Sequence, residues 1–353
     1  MSLFSNRGQT LLGVSIPLIG LLTVLLTASC SKSGTLNETV YVVPEKLRLK
    51  NSTAQAARPI GEMKSGDKVT ITQRSKSEDG TPWVNVKGPD GQEGWAETRY
   101  FVKEEIVTES RKIADQIKDI PTQAIGKSKA TLKLRLTPDR TNDDNVATLL
   151  PSGAMMEIVA RERKQRPASL DQKAENAEGA VPDAKSGDSK PDVKYDEWFQ
   201  VRLRDYAVLP AGWIYGGSVE LDIPGEIVYF VSSGRRIVGW QKLGTVHGDD
   251  SRSGDHFLVI ERKVFDADDR VDFDRIAVLA YDPVTRNYST PFREDVLGHF
   301  PITLKMDGQK GAFQLAATDK KTGQKQQLEY SVELLSGGKV KAQRLTPQNS
   351  GKK

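Results

Sequence analysis

Short runs in which apolar and polar residues alternate dominate the chain, and this pattern predicts β-strands with one buried face. Two leucines alternate with basic residues in Lys46–Lys50, and Lys133–Thr137 repeats the arrangement. Trp83–Val86 and Trp198–Val201 alternate in the same way, each with a tryptophan first. The runs are short and lie close to turn residues such as Ser65-Gly66-Asp67, so the chain is expected to form small β domains.

Four of these motifs recur in the same order, which identifies an internal repeat. The first copy consists of KLRLK (46–50), MKSGDKVTI (63–71), WVNVK (83–87) and GWAETRYF (94–101), and the second of KLRLT (133–137), LPSGAMMEI (150–158), WFQVR (198–202) and GWIYGGSV (212–219). The offset between the copies is 87 residues at the leading motif and 115 residues at the tryptophan motif. The second copy therefore contains an insertion.

Residues 161–194 contain most of this insertion, and we predict that they form a disordered loop. Eight lysines or arginines and seven aspartates or glutamates are mixed through them, whereas the large apolar residues are limited to Leu170, Val181 and Val193. Such a segment buries too little apolar surface to offset its conformational entropy. The alternative is a recognition arm that folds on a partner.

The order of a basic LRL strand, a glycine turn, a W-x-x-V strand and a G-W strand resembles the bacterial SH3 (SH3b) domain. The resemblance covers residues 38–102 and 128–222, so two SH3b domains are expected, each of them a small SH3-like barrel. Members of this family often bind cell-wall peptide. The resemblance therefore implies peptidoglycan or an envelope protein as the partner.

A linker joins the two predicted barrels. Within residues 103–127, the segment Lys103–Lys118 contains three isoleucines at helical spacing, and Pro121 follows it. This pattern predicts a linker helix that packs on a barrel.

Residues 223–345 contain longer alternating runs and are predicted to form an antiparallel β-meander or barrel domain. Turn residues such as Asp307-Gly308 separate the runs. Ile276–Tyr281 is apolar on both faces and is expected to be the most buried strand. This domain resembles no family that we recognise, and residues 346–353 are predicted to be a disordered tail.

The N-terminus has the pattern of a secretory signal. The uncharged run Leu11–Ser29 follows a basic residue and precedes Cys30, the only cysteine of the chain. The segment Leu26-Thr27-Ala28-Ser29-Cys30 resembles a bacterial lipobox. Residues 1–29 are therefore interpreted as a lipoprotein signal peptide, and residues 30–37 as a lipidated tether.

This resemblance implies acylation of Cys30 and attachment of the protein to the membrane through that residue. The predicted location is the cell envelope. Ser31 stands where aspartate would retain a lipoprotein at the inner membrane, so the outer membrane is expected in a Gram-negative cell. The alternative is an uncleaved transmembrane anchor, because the uncharged run has 19 residues and a spanning helix needs roughly 17 to 25.

Charge and cysteine content argue against several classes of function. The 51 basic and 47 acidic residues give a net charge of only +4, so nucleic acid is not a predicted partner. A papain-like enzyme needs a Cys-His pair, which a lipidated Cys30 cannot supply. The H-x-H pair of lysostaphin-type zinc endopeptidases is absent. We therefore predict that the protein is not an enzyme.

All three histidines, His247, His256 and His299, lie in the predicted C-terminal domain. Their spacing matches no zinc hydrolase motif. The aspartates of the nearby segment Asp266–Asp274 do not fit the EF-hand template. These residues are interpreted as solvated loop residues, and no metal or cofactor is predicted. A hydrolase with its site in this domain is the alternative.

Six aromatic residues of the repeats are candidates for a ligand groove: Trp83, Trp95, Tyr100, Trp198, Trp213 and Tyr215. Aromatic rings provide a large contact area at small entropic cost, although packing in the barrel cores is the alternative role. The predicted protein is mainly β, with two barrels, a linker helix and a C-terminal β domain. Its predicted function is non-enzymatic binding of peptidoglycan or an envelope protein, and a scaffold without wall binding is the alternative.

Overall fold

The computed structural model describes residues 37–166, 195–248, 253–265 and 270–345. These residues form a mainly β protein with three seven-stranded antiparallel sheets and one α-helix. The predicted signal peptide with Cys30, most of the insertion, and the C-terminal tail lie outside the described residues. None of the described helices has the length and apolar character that crossing a membrane requires.

The first sheet, which we call the first barrel, spans residues 38–103. Its strands are β1 (Glu38–Val42), β2 (Lys46–Lys50), β3 (Pro59–Lys64), β4 (Lys68–Lys76), β5 (Pro82–Lys87), β6 (Glu93–Glu97) and β7 (Phe101–Lys103). They pair in the order β3-β2-β6-β5-β4-β1-β7. The alternating leucines of β2 point into the core, where Leu49 packs with Met63 and Ile71. Gly66 turns the chain from β3 into β4 with a φ of 88°, which favours glycine.

The second sheet, the second barrel, has the same strand order as the first. Its strands are β8 (Ala124–Ser128), β9 (Leu132–Arg135), β10 (Val146–Leu150), β11 (Met155–Gln165), β12 (Tyr195–Arg202), β13 (Ala211–Tyr215) and β14 (Val219–Leu221). They pair in the order β10-β9-β13-β12-β11-β8-β14. The internal repeat of the sequence is therefore a repeat of topology.

The predicted insertion begins later than expected. Residues 161–165 belong to β11 and pair with residues 195–199 of β12, in a register that ends at Gln165 opposite Tyr195. Their placement in a disordered loop was wrong, because pairing with β12 satisfies their backbone groups. Residues 167–194, for which disorder was also predicted, lie outside the described residues.

Helix α1 (Glu104–Ile117) connects the barrels. Its buried face contains Val107, Ser110, Ile113 and Ile117 at helical spacing. The hydroxyl of Ser110 donates to the carbonyl of Ala211 at 2.6 Å and accepts from the Ala211 N–H at 3.2 Å. The helix therefore packs on β13 of the second barrel.

Arg202 caps the C-terminal end of this helix. Its Nη1 group donates at 2.9 Å to the carbonyl of Ile117, the last residue of the helix, and at 2.8 Å to the carbonyl of Ile120 in the turn that follows. Glu157 orients the guanidinium through a bond of 2.9 Å to Nε. Burial raises the pKa of Glu157, but the bonds from Arg202 and Thr122 outweigh it and hold this pKa below its usual value.

The third sheet, the C-terminal sheet, is an open meander. Its strands are β15 (Arg235–His247), β16 (Ser253–Lys263), β17 (Phe273–Asp282), β18 (Asn287–Asp307), β19 (Lys310–Thr318), β20 (Lys325–Leu334) and β21 (Val340–Arg344). They pair in sequence order, and the end strands β15 and β21 form no ladder with each other among the described residues. Residues 276–280 of β17 are all buried, whereas Tyr281, the last residue of the run predicted to be buried, is partly exposed.

Gln123 joins the second barrel to the C-terminal sheet. Its side chain is fully buried, and its amide donates to the Ile302 carbonyl at 3.0 Å and accepts from the Ile302 N–H at 2.8 Å. Its backbone carbonyl accepts from the N–H of Trp240 at 2.8 Å. One apolar core continues across this junction, from Ile158 and Phe199 to Trp240, Phe257 and Leu279.

We expect Gln123→Leu to lower the free energy of unfolding by about 1–3 kcal/mol, because it leaves the buried N–H of Ile302 without a partner, whereas the Ile302 carbonyl keeps its bond from Gln241. Urea unfolding followed by circular dichroism measures the change. Gln326→Leu is the matched control, since Gln326 is exposed on β20 and its replacement is expected to cost less than about 0.5 kcal/mol. Equal losses in the two variants would contradict the role given to Gln123.

Two of the candidate tryptophans differ sharply in burial. Trp198 is only 1% exposed, whereas Trp213 is half-buried on the neighbouring strand. Trp198→Ala is therefore expected to lower the free energy of unfolding by about 3–5 kcal/mol, and Trp213→Ala by clearly less. The same urea titration checks both variants, and a larger loss for Trp213→Ala would refute this assignment of core and surface.

Candidate functional site

A cleft of about 600 Å³ lies between the two barrels and is built by both of them. Pro44, Arg99 and Tyr100 contribute from the first barrel, and Leu149, Met155 and Tyr206 contribute from the second. This volume lies within the roughly 300–1,000 Å³ that small-ligand sites occupy, and junctions between domains are a frequent place for such sites. We call it the inter-barrel cleft.

Tight turns position the residues of the cleft. On the first barrel, the N–H of Val43 donates to the carbonyl of Tyr100 at 2.9 Å, which ties the β1–β2 connection to the turn before β7. On the second barrel, the hydroxyl of Ser128 donates to the Pro151 carbonyl at 2.6 Å and accepts from the Ala154 N–H at 2.9 Å. These bonds fix the β10–β11 turn between Leu149 and Met155.

The second barrel presents apolar side chains to the cleft. Leu149 is 42% exposed and Met155 is 40% exposed, which is high for residues of this size and polarity. Each is followed by a second apolar residue that is buried in the barrel, Leu150 and Met156. The strands therefore have apolar residues on both faces here, and the outer face lies in the cleft.

Charges of both signs border this apolar surface. The guanidinium of Arg99 lies 5.0 Å from the ring centre of Tyr100 and donates to its hydroxyl at 3.1 Å. Glu45 and Asp205 supply carboxylates. Burial and the charge of Asp205 raise the pKa of Tyr206, so this phenol remains a hydrogen-bond donor at neutral pH. The cleft thus suits a ligand that carries amino and carboxylate groups.

A second pocket, of about 260 Å³, lies on the second barrel. Trp198 and Tyr215 meet there edge to face, with ring centres 6.0 Å apart. Arg140 lies 4.4 Å from the centre of the Tyr215 ring and is held by two bonds of 2.6 and 2.8 Å to Asp196. Thr131 lines both this pocket and the inter-barrel cleft, so the two adjoin.

The structure separates the six aromatic candidates. Tyr100 lines the inter-barrel cleft, and Trp198 and Tyr215 come together in the second pocket. Trp83 is buried, and its ring centre lies 5.3 Å from the ammonium nitrogen of Lys50. Trp95 and Trp213 are half-buried on β6 and β13 and line neither cavity. The candidate Cys30 lies outside the described residues.

Sequence reasoning missed the residues that give the cleft its apolar surface and its charges. Leu149-Leu150 and Met155-Met156 break the strict alternation of the strands, and this break was the signal available for the apolar positions. Tyr206 lies in a connection between strands and follows no periodic pattern. Arg99 gave no signal either, because its role depends on a barrel that is distant in sequence.

The interpretation of the histidines as solvated loop residues was wrong for His256. This side chain is 2% exposed on β16, and its Nδ1 accepts from the N–H of Tyr281 at 3.0 Å. Burial lowers the pKa of His256, so the ring is neutral near pH 7. His299 is half-buried on β18, and His247 is exposed at the end of β15.

The interpretation of the acidic segment Asp266–Asp274 as solvated loop residues was also wrong in part. Asp274 is buried and forms an ion pair with Arg235, and Asp272 accepts from the Phe300 N–H at 2.8 Å. Residues 266–269 lie outside the described part of the chain. Within that part, no group of three or more histidine, cysteine, aspartate or glutamate residues has the arrangement to hold a metal ion.

Comparison with solved structures gives several distant similarities. NlpC1 from Trichomonas vaginalis is 11% identical, with 87% of this chain and 92% of that chain covered and a TM-score of 0.16. The periplasmic gluconolactonase PpgL of Pseudomonas aeruginosa is 16% identical, with 86% and 85% covered and a TM-score of 0.16. Scores this low carry no argument about fold or activity.

Comparison with protein families gives a more informative result for the first barrel. No curated protein matches the chain. Residues 46–102 match the bacterial SH3 domain family, and this region contains β2 to β6 and most of the first barrel's core. The first barrel is therefore a bacterial SH3 domain.

Proposed function

We propose that the protein is a non-enzymatic binding module of the cell envelope, and that peptidoglycan binds in the inter-barrel cleft. The observation that carries the proposal is the composition of this cleft, in which a bacterial SH3 domain and a barrel of identical strand order present Tyr100 and Tyr206 to one cavity. We further propose that the second barrel is a second bacterial SH3 domain.

The chemistry of the cleft favours peptide over glycan as the bound part. Leu149 and Met155 provide an apolar surface, Arg99 provides a positive charge, and Glu45 and Asp205 provide negative charges. The stem peptides of peptidoglycan carry free amino and carboxylate groups together with short apolar side chains. A segment of an envelope protein with the same features is the alternative ligand.

The proposed location is the cell envelope, with acylated Cys30 as the anchor in the membrane, which is the outer membrane in a Gram-negative cell. A tether of residues 31–37 spans at most about 25 Å, at roughly 3.5 Å per extended residue. The first barrel then lies close to the bilayer. In this arrangement the module joins the membrane to the cell wall.

Co-sedimentation of the full-length protein, in detergent, with purified peptidoglycan sacculi tests wall binding. The wild type is expected to bind saturably. Leu149→Glu is expected to weaken binding about tenfold or more, because it places a charge against the apolar surface of the cleft. Leu335→Glu is the matched control, since Leu335 has the same exposure of 42% and lies in the C-terminal sheet region.

The outcomes separate the parts of this proposal. If the folded wild type does not sediment with sacculi, wall binding is refuted and an envelope protein becomes the favoured partner. If Leu149→Glu and Leu335→Glu bind equally well, wall binding stands but the cleft is not its site. Circular dichroism of each variant establishes that it is folded.

The anchor is tested by Cys30→Ser, in cells fed with labelled palmitate. The wild type is expected to incorporate the label and to remain in the membrane fraction, because its acyl chains partition into the bilayer. The variant is expected to lose the label. Ser31→Ala serves as the control, and label in the Cys30→Ser protein would contradict lipidation at this residue.

A further inference from the structure

A cavity of about 470 Å³ lies between the second barrel and the C-terminal sheet. Arg161 and Arg163 of β11 line it from the second barrel, and His299, Thr318 and Lys325 line it from the C-terminal sheet. It shares no lining residue with the inter-barrel cleft or with the pocket at Tyr215. We call it the interface cavity.

Arg161 is the most deeply buried cation of this cavity, with a side chain that is 3% exposed. Its guanidinium lies between two aromatic rings, 4.8 Å from the centre of Phe199 and 4.8 Å from that of Phe300. One terminal nitrogen donates to the Val238 carbonyl, and the other lies 3.4 Å from a carboxylate oxygen of Glu197. The rings and these contacts hold the guanidinium in one orientation.

The hydrogen bonds of Arg161 are incomplete. Its Nε is buried and has no hydrogen-bond partner. The distance of 3.4 Å to Glu197 is also longer than the 2.7–2.9 Å of a good charge-assisted hydrogen bond. A buried guanidinium with an unsatisfied N–H carries a desolvation cost that an additional anion would offset.

Charged residues of both signs line the cavity. Among the described residues these are the cations Arg161, Arg163, Arg270 and Lys325 and the carboxylates Glu162 and Asp272. The carboxylate of Glu162 is paired with Lys164 at 2.6 Å. Lys325 makes no ion pair in the described part of the chain, so its ammonium group can pair with an added anion.

Further hydrogen-bonding groups lie beside these cations. The Nε2 of His299 and the hydroxyl of Thr318 lie 2.9 Å apart on neighbouring strands. When the ring N–H donates to Thr318, the hydroxyl hydrogen of Thr318 is left to donate to an oxygen ligand. The planar guanidinium of arginine matches the two oxygens of a carboxylate or phosphate group.

We propose that the interface cavity binds an oxyanion, the phosphate or carboxylate group of a small ligand. A bound oxyanion compensates the charge of Arg161 and links the second barrel to the C-terminal sheet, so it stabilises the folded protein. The proposal is independent of the function proposed for the inter-barrel cleft, because the two cavities share no residue.

Isothermal titration calorimetry of the full-length protein with inorganic phosphate, and separately with acetate, tests this proposal. Sodium chloride keeps the ionic strength constant. We expect saturable binding at one site per chain and a higher thermal unfolding midpoint in the presence of the bound anion. Saturation by phosphate alone assigns a phosphate group to the ligand, and saturation by acetate alone assigns a carboxylate.

Lys325→Gln is the variant of choice, because Lys325 is exposed and its replacement leaves the packing around Arg161 intact. Affinity for the anion is expected to fall about threefold, the size of an exposed charge pair. Lys341→Gln, on the exposed face of β21, is the matched control and is expected to leave the affinity unchanged. Arg161→Gln is expected to abolish binding if circular dichroism shows that it is folded.

Two results would overturn the proposal. One is the absence of saturable binding for both phosphate and acetate to the folded wild type. The other is binding that Lys325→Gln and Lys341→Gln leave equally strong, since the anion would then lie outside the interface cavity.

Discussion

The side-chain amide of Gln123 is the contact on which the arrangement of the C-terminal half depends. It accepts from the N–H of Ile302 on the long strand β18 and donates to the Ile302 carbonyl, which also accepts from Gln241. Its own backbone joins Ile158 of β11 to Trp240 of β15. Gln123 thereby connects two sheets that form no ladder with each other. Because these groups are buried, the connection admits no water and fixes one relative position of the sheets. The interface cavity beside β11 and β18 exists in its observed form only in that position.

The two barrels share one strand order but differ in their side chains, and this difference gives the chain two different cavities. In the first barrel Trp83 pairs with Glu97, whereas in the second barrel Trp198 pairs with Tyr215 at the equivalent register. The second barrel therefore has an aromatic pair where the first has a carboxylate. The first barrel instead places Tyr100 in its last turn, where the second barrel has Ser218. The first barrel thus contributes Tyr100 to the inter-barrel cleft, whereas the aromatic pair of the second barrel lines the separate pocket that adjoins the cleft.

The sequence predicted the strands well because each has one buried face, and alternation is a direct consequence of that burial. The internal repeat, helix α1 and the buried strand β17 followed from local patterns of this kind. The cavities did not, because they form between segments that are far apart in the chain. Arg99 and Tyr206 line one cleft from two different barrels, and Arg161 lies between Phe199 and Phe300. The burial of His256 was missed for the same reason, since its partner is the backbone of the next strand.

Because Gln165 pairs with Tyr195, the number of residues between them can change at small cost in free energy. The ladder between β11 and β12 holds the two ends of the intervening segment side by side, whatever the number of residues between them. The entropic cost of closing such a loop rises only with the logarithm of its length, by about 0.6 kcal/mol for each doubling. The hairpin is thus a tolerant position for inserted sequence, where a fluorescent or affinity domain adds little strain to either barrel.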